Sequence, residues 1–221
     1  MGANLMRRTG FDRVLYALIR ALLWMLFKVF FRIEAVGRAH VPTRGGCLLA
    51  SNHASYLDPP LIAVAAGRQL RFLARDTLYR NKFFAWLIFR LGAIPMDRTR
   101  GDVAALRSAL KITGAGQALV LFPEGTRTLD GNLQEAKPGI GFLVAKAKVP
   151  VVPVYVDGSY RAYPKGAKRM QRTKIRVRFG APITPEELAA LGKGKAAYLE
   201  MAGLTMARIA ALAETARAAR R

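Results

Sequence analysis

From residue 33 onward, short apolar runs alternate with stretches of helical periodicity. Ile33–Val36, Cys47–Ala50, Leu70–Ala74, Ala93–Met96, Ala118–Phe122 and Val149–Val156 read as strands, the last despite its two prolines. Pro60–Ala66, Tyr79–Arg90, Asp102–Ile112 and Ile140–Lys146 read as helices, with Val103, Leu106 and Leu110 marking one face of the third. Such alternation predicts an α/β fold, a mixed and mostly parallel sheet flanked by helices. Lys174, Arg176 and Arg178 alternate with Ile175, Val177 and Phe179, so a further strand has one apolar and one basic face. Thr184-Pro185-Glu186-Glu187 opens a helix with a capping box, and a last helix over 196–219 repeats Tyr198, Ala202, Met206, Ile209 and Leu212, a packing pattern.

The first 32 residues differ in pattern. Arg13, Arg20 and Lys28 interrupt apolar stretches of at most seven residues, such as Ala21–Phe27. At 100° per residue these charges fall within an arc of about 60–80°, leaving a broad Leu/Trp/Phe face. The preferred reading is an amphipathic helix lying in a bilayer interface, cations among anionic headgroups. A membrane span with snorkelling ends and a helix docked on the domain share the pattern. The chain therefore divides into a membrane-associating segment, 1–32, and an α/β domain, 33–221. The expected location is peripheral or monotopic, on the cytoplasmic face.

Composition narrows the partners. The single cysteine, Cys47, sits inside an apolar run, which leaves no disulfide framework and no zinc spacing. Thirty-six Lys and Arg against 14 Asp and Glu give a net charge of +22, suited to polyanions: an anionic membrane, an acidic carrier protein or nucleic acid. No nucleic-acid-binding motif accompanies the charge, so no specific nucleic acid is expected. Eight Lys and Arg with no acid lie between Arg161 and Arg178, a second candidate anion contact.

Candidate chemistry gathers where strands hand over to helices, the usual ligand edge of an open α/β sheet. Asn52, His53, Ser55 and Asp58 follow one strand. A five-residue offset puts His53 and Asp58 roughly 140° apart on a helix, so their cooperation requires a turn, which Pro59 favours. Histidine is the usual acid/base near pH 7. Equally, Asp58 and Pro59 make a good helix N-cap and first residue, with His53 structural. Phe122-Pro123-Glu124-Gly125-Thr126-Arg127 ends the most apolar strand and offers backbone N–H groups, a hydroxyl and a planar guanidinium to a phosphate. A turn with an internal Glu124–Arg127 pair is the other reading. Gly92–Arg98 ends a third strand and presents Arg98. If these strands are parallel, one cleft holds a histidine, an acid and two arginines.

These motifs, in this order over about residues 33–180, resemble the glycerolipid acyltransferases. Asn52-His53-x-Ser55-x-x-Asp58 is similar to the family's His-x4-Asp motif, and Gly92–Arg98 to its second motif, with Pro95 where an aromatic is common. Phe122–Arg127 resembles the third, followed by Thr128 where serine is usual, and Val149–Val154 the fourth. Lys137 and Gly139 fall at a Lys-x-Gly, with Ala136 in place of the preceding aromatic. The resemblance implies that His53 is the general base and Asp58 holds its tautomer and charge. It implies acyl transfer from acyl-CoA or acyl carrier protein directly to the free hydroxyl of lysophosphatidic acid, yielding phosphatidic acid, with no metal and no cofactor. Arg98 and Arg127 would hold the acceptor's phosphate, with Asn52, Ser55, Glu124, Gly125, Thr126 and Lys137 completing the substrate site. Another acceptor such as a lyso-ornithine lipid, a hydrolase using Ser55, and a non-catalytic membrane-binding protein are the alternatives; the absence of a Gly-x-Ser-x-Gly elbow counts against the hydrolase.

Overall fold

The computed structural model describes residues 10–75, 79, 82–90, 92–96 and 101–219. Seven strands form one sheet in the order β1-β7-β6-β2-β5-β3-β4. They are β1 (Glu34–Val36), β2 (Cys47–Ser51), β3 (Leu70–Arg75), β4 (Ala93–Met96), β5 (Ala118–Leu121), β6 (Val151–Asp157) and β7 (Arg176–Phe179). Only β6 and β7 pair antiparallel; β1 follows β7, so five strands run one way and two the other. The predicted mixed, mostly parallel sheet is the one observed.

Among the described residues eight α-helices connect and cover it: α1 (Gly10–Phe31), α2 (Asp58–Ala65), α3 (Lys82–Arg90), α4 (Gly101–Gly114), α5 (Gly139–Ala147), α6 (Ser159–Ala162), α7 (Pro185–Ala190) and α8 (Lys195–Ala218). Two short helical turns, Arg38–His40 and α6, carried no periodic signal and were not expected. Right-handed crossovers from β2 to β3 and β3 to β4 put α2 and α3 on one face. The return from β4 through β5 to β6 puts α4 and α5 on the other, where α8 packs on α5 and β6. The sheet's two faces bury separate apolar layers. Leu49, Leu61, Ile62 and Val177 belong to one, and Leu48, Ile112, Leu143 and Ile209 to the other.

Central β2 is buried along its whole length, flanked by β5 and β6, so the chain leaving it at Ser51 emerges between two other strand ends. Pro153 is tolerated in β6 because its carbonyl faces Gly180, just past the β7 ladder that ends at Val154↔Phe179. Its missing N–H therefore deprives no ladder partner. On β7, Ile175, Val177 and Phe179 face the core as expected. Its basic face is partly neutralised: Lys174 and Arg176 share Glu34 of β1, at 2.5 and 2.8 Å. The compensating acid comes from a strand 142 residues away in sequence.

The N-terminal helix is docked on the domain along one side, one of the arrangements its sequence allowed. Tyr16 and Phe31 are buried, and Leu23, Trp24 and Phe27 pack against the core over α2. The opposite side exposes Val14, Leu18, Leu22, Met25, Leu26, Val29 and Phe30. A boundary at residue 32 thus falls at the end of a helix already seated on the domain. Two helices, Val14–Phe31 and Lys195–Ala218, are long and apolar enough to cross a membrane. The second packs on α5 and β6 and reads as a core helix.

Candidate active site

His53 and Asp58 meet across a turn. His53 Nδ1 lies 2.9 Å from Asp58 Oδ2, and the same oxygen accepts from the Ala54 and Ser55 backbone N–H groups at 2.7 Å each. Asp58 is fully buried. Three nitrogens thus converge on one oxygen of Asp58. The expected N-cap role is not what the carboxyl does. Leu57 occupies the cap position of α2 with no side-chain cap bond, and Asp58 is already the first helical residue. Its carboxylate turns back to organise the preceding loop, because that loop offers it two N–H groups and the imidazole. With Nδ1 committed to Asp58, Nε2 is the ring nitrogen left for a substrate.

Asn52 and Ser55 are structural ties in this geometry. Asn52 Oδ1 accepts from Val156 N at 2.8 Å and its Nδ2 donates to Val156 O at 3.4 Å. A side-chain amide thereby continues the β2–β6 ladder one residue beyond the strand, freeing the backbone to turn. Ser55, fully buried, donates from Oγ to the Tyr163 carbonyl at 2.7 Å and accepts from Leu57 N at 3.1 Å. Neither orientation presents the side chain to a substrate.

The β5 loop grips His53 from the other side. His53 N donates to Glu124 Oε1 at 3.0 Å, Thr128 N donates to His53 O at 2.9 Å, and the Phe122 ring stacks on the imidazole with centroids 3.9 Å apart. Glu124 is 1% exposed. Burial pushes its carboxyl up to about 7, and nearby Asp58 adds to the rise, against the N–H groups of His53 and Gln134. Its Oε2 is buried with no hydrogen-bond partner.

Arg127 lies with its guanidinium 3.5 Å over the Tyr56 ring, within the His53–Asp58 turn. This cation–π seat fixes the fork, and its Nη1 is buried without a hydrogen-bond partner, a donor available to an anion. Gly125 (φ +68°) makes the tight turn that returns its N–H to Phe122 O at 3.0 Å. A Cβ there would come within 2.9 Å of Lys137 Cγ, so the lysine side chain lies across the glycine. Gly125 and Thr126 are exposed beside it. Arg98 lies outside the described residues.

The structure thus brings together His53, Asp58, Glu124, Gly125, Arg127 and Lys137 at the carboxyl ends of β2 and β5. Sequence reasoning missed Tyr56, Phe122 as a stacking partner, and Tyr163, which accepts from Ser55 and lies 5.4 Å from Tyr56 ring to ring. Tyr56 and Phe122 were legible as aromatics inside the polar motifs. Tyr163 carried no local signal, being 108 residues from Ser55.

The chain is 28% identical over 169 residues to a chloroplastic 1-acyl-sn-glycerol-3-phosphate acyltransferase of Brassica napus, covering 74% of this chain and 49% of that protein. It is 30% identical over 181 residues to the human alpha enzyme of the same name, covering 77% and 63%. It spans about half the plant relative's length and under two thirds of the human one's. The crystal structure of the 1-acyl-sn-glycerophosphate acyltransferase of Thermotoga maritima superposes with a TM-score of 0.76. That match covers 91% of this chain and 80% of that one at 24% identity, a likeness of fold. The acyltransferase family model matches residues 32–157, over half the chain and including both motif loops, so the chain belongs to the acyltransferase family.

Proposed function

We propose that the chain transfers a fatty acyl group from an acyl thioester, acyl-CoA or acyl carrier protein, to the free hydroxyl of lysophosphatidic acid. The observation that carries the reading is the 2.9 Å His53 Nδ1–Asp58 Oδ2 contact beside a guanidinium whose buried Nη1 has no partner. His53 Nε2 takes the hydroxyl proton as its oxygen bonds to the thioester carbonyl carbon. The tetrahedral adduct collapses, the C–S bond breaks, and the imidazolium returns the proton to the leaving thiolate. Asp58 fixes the tautomer and stabilises the imidazolium. Arg127 and Lys137 receive the acceptor's phosphate, and Arg98 has the same role by resemblance. The relatives' shared name supports this acceptor.

The outward apolar side of α1 supports seating on a bilayer, where a lysolipid acceptor resides, and the net charge suits an anionic leaflet and an anionic donor. A cytoplasmic-face location follows from a donor made in the cytosol. Ser55 as a hydrolase nucleophile is disfavoured by its burial and its two committed hydrogen bonds.

The test is purified protein with an acyl thioester, labelled lysophosphatidic acid and vesicles. Labelled phosphatidic acid is expected, and donor hydrolysis without it would refute the assignment. A parallel series with lyso-ornithine lipid and other lysophospholipids decides the acceptor. His53→Ala should lower turnover about 100- to 10,000-fold, the range a positioned general base supplies.

A further inference from the structure

A concavity of about 200 Å³ opens at the C-terminal foot of α1, lined by Phe30, Arg32, Arg172, Thr173 and Lys174. None of its five lining residues belongs to the His53 loop, and three of them are cations. Arg32 leaves the helix in the left-handed region, φ +48°, with its N–H still bonded to Lys28 O at 3.1 Å. Glycine or asparagine fills such an exit with less strain than arginine does. Arg172 Nη2 donates to Val29 O at 3.3 Å. Lys174 and Arg176 both contact Glu34, so one carboxylate serves two of the cations at this foot. The helix's negative C-terminal end accounts for the Arg172 bond. It does not account for an arginine at the left-handed exit.

The site's apolar wall continues a second feature. Phe30, 56% exposed in the last turn of α1, lies at the border of the outward face that runs from Val14 through Leu18, Leu22, Met25 and Val29. The segment supplying Arg172 and Lys174 begins at Tyr163, beside Tyr56 and Arg127. Its loop closes through Gln171 N to Ala162 O at 2.8 Å, with Met170 exposed. Cavities that hold whole drug-sized ligands run to about 300–1,000 Å³, so this one suits a headgroup.

We propose that this concavity binds the phosphate headgroup of an anionic membrane lipid, distinct from the acceptor substrate, while the outward face of α1 enters the acyl region beside it. The proposal rests on the membrane-surface reading given above and adds a site to it. Arg32 and Arg172 grip the phosphate, Phe30 meets the upper acyl chains, and α1 is held at one depth with the catalytic mouth facing the leaflet. The bare net charge would favour anionic lipid without any such place on the surface.

Flotation of the full chain with phosphatidylcholine vesicles, with and without phosphatidylglycerol, tests it. The variant is Arg32→Gly with Arg172→Gln, which relieves the left-handed strain. The control is Lys195→Gln with Arg217→Gln, two exposed cations at the ends of α8, on the other side of the sheet. The Arg32/Arg172 variant should lose about fivefold per cation in affinity for anionic vesicles. Its affinity for neutral vesicles and its turnover in detergent should match the parent's. Retained anionic preference overturns the proposal. So does an equal loss in the control, which would assign the preference to diffuse charge. If inorganic phosphate raises the melting temperature of the parent but not the variant, while both float alike, the site belongs to a soluble phosphate and the proposal falls. No flotation with any vesicle would sink the membrane reading and this site with it.

Discussion

Glu124 is where a residue's environment and its chemistry diverge most. Its carboxyl is raised from 4.5 to about 7 chiefly by burial, so the folded protein holds that proton more tightly than the unfolded chain. The contribution is fully present below about pH 4.5 and is lost as pH rises through about 7. It amounts to roughly 3 kcal/mol at the limit. Glu124→Gln keeps an oxygen for the His53 N–H and removes the ionisation. Thermal melts between pH 4.5 and 8 should show a smaller loss of stability with rising pH in this variant than in the parent. An unchanged slope would assign the dependence to other groups. Ser55→Ala gives the complementary result: turnover should fall far less than in His53→Ala, while stability drops by about 1–2 kcal/mol as the Tyr163 carbonyl loses its donor. A Ser55→Ala variant as inactive as His53→Ala would restore the nucleophile reading.

Helix packing separates α1 from α5 and α8. Gly141 of α5 sits so close to α8 that a Cβ would lie 1.7 Å from the Tyr198 carbonyl oxygen. Gly141→Ala must push two helices apart, at a cost of about 3 kcal/mol or more, read as a lowered melting temperature. On α1 the two sides should behave oppositely. Leu23→Ala removes contact with the core and should destabilise by about 1–2 kcal/mol with vesicle binding largely kept. Leu22→Glu with Met25→Glu, on the exposed side, should leave the melting temperature unchanged and release the protein from vesicles. Loss of stability in the second variant would mean that this side packs on protein.

At the scale of the whole molecule, a net charge of +22 on 221 residues makes encounter with an anionic donor depend on salt. The Debye length shrinks from about 10 Å at 0.1 M to about 3 Å at 1 M. The KM for an acyl-CoA should therefore rise several-fold over that range, with the melting temperature far less affected. A KM indifferent to salt would confine the donor's recognition to uncharged contacts.

Periodicity by itself determined much of this protein. Alternating apolar runs and helical stretches specified the α/β class, because strands buried on both faces must be apolar throughout and their connecting helices must be one-sided. The polar loops at Asn52–Asp58 and Phe122–Arg127 stood out because each leaves an apolar strand at its carboxyl end, and the parallel pairing of β2 and β5 sets them side by side. Tertiary structure decided the rest through contacts that have no sequence period. That Asp58 organises its own loop instead of capping α2 depends on where His53 and two backbone N–H groups point. Asn52 and Ser55 reach Val156 and Tyr163 only because β2 lies beside β6 and the turn after β2 lies beside the chain beyond it. Glu34 neutralises part of the β7 basic face because a parallel pairing brings residue 34 to residue 176. The division of α1 into a packed side and an open one follows from the position of α2, which the helix's own sequence does not encode.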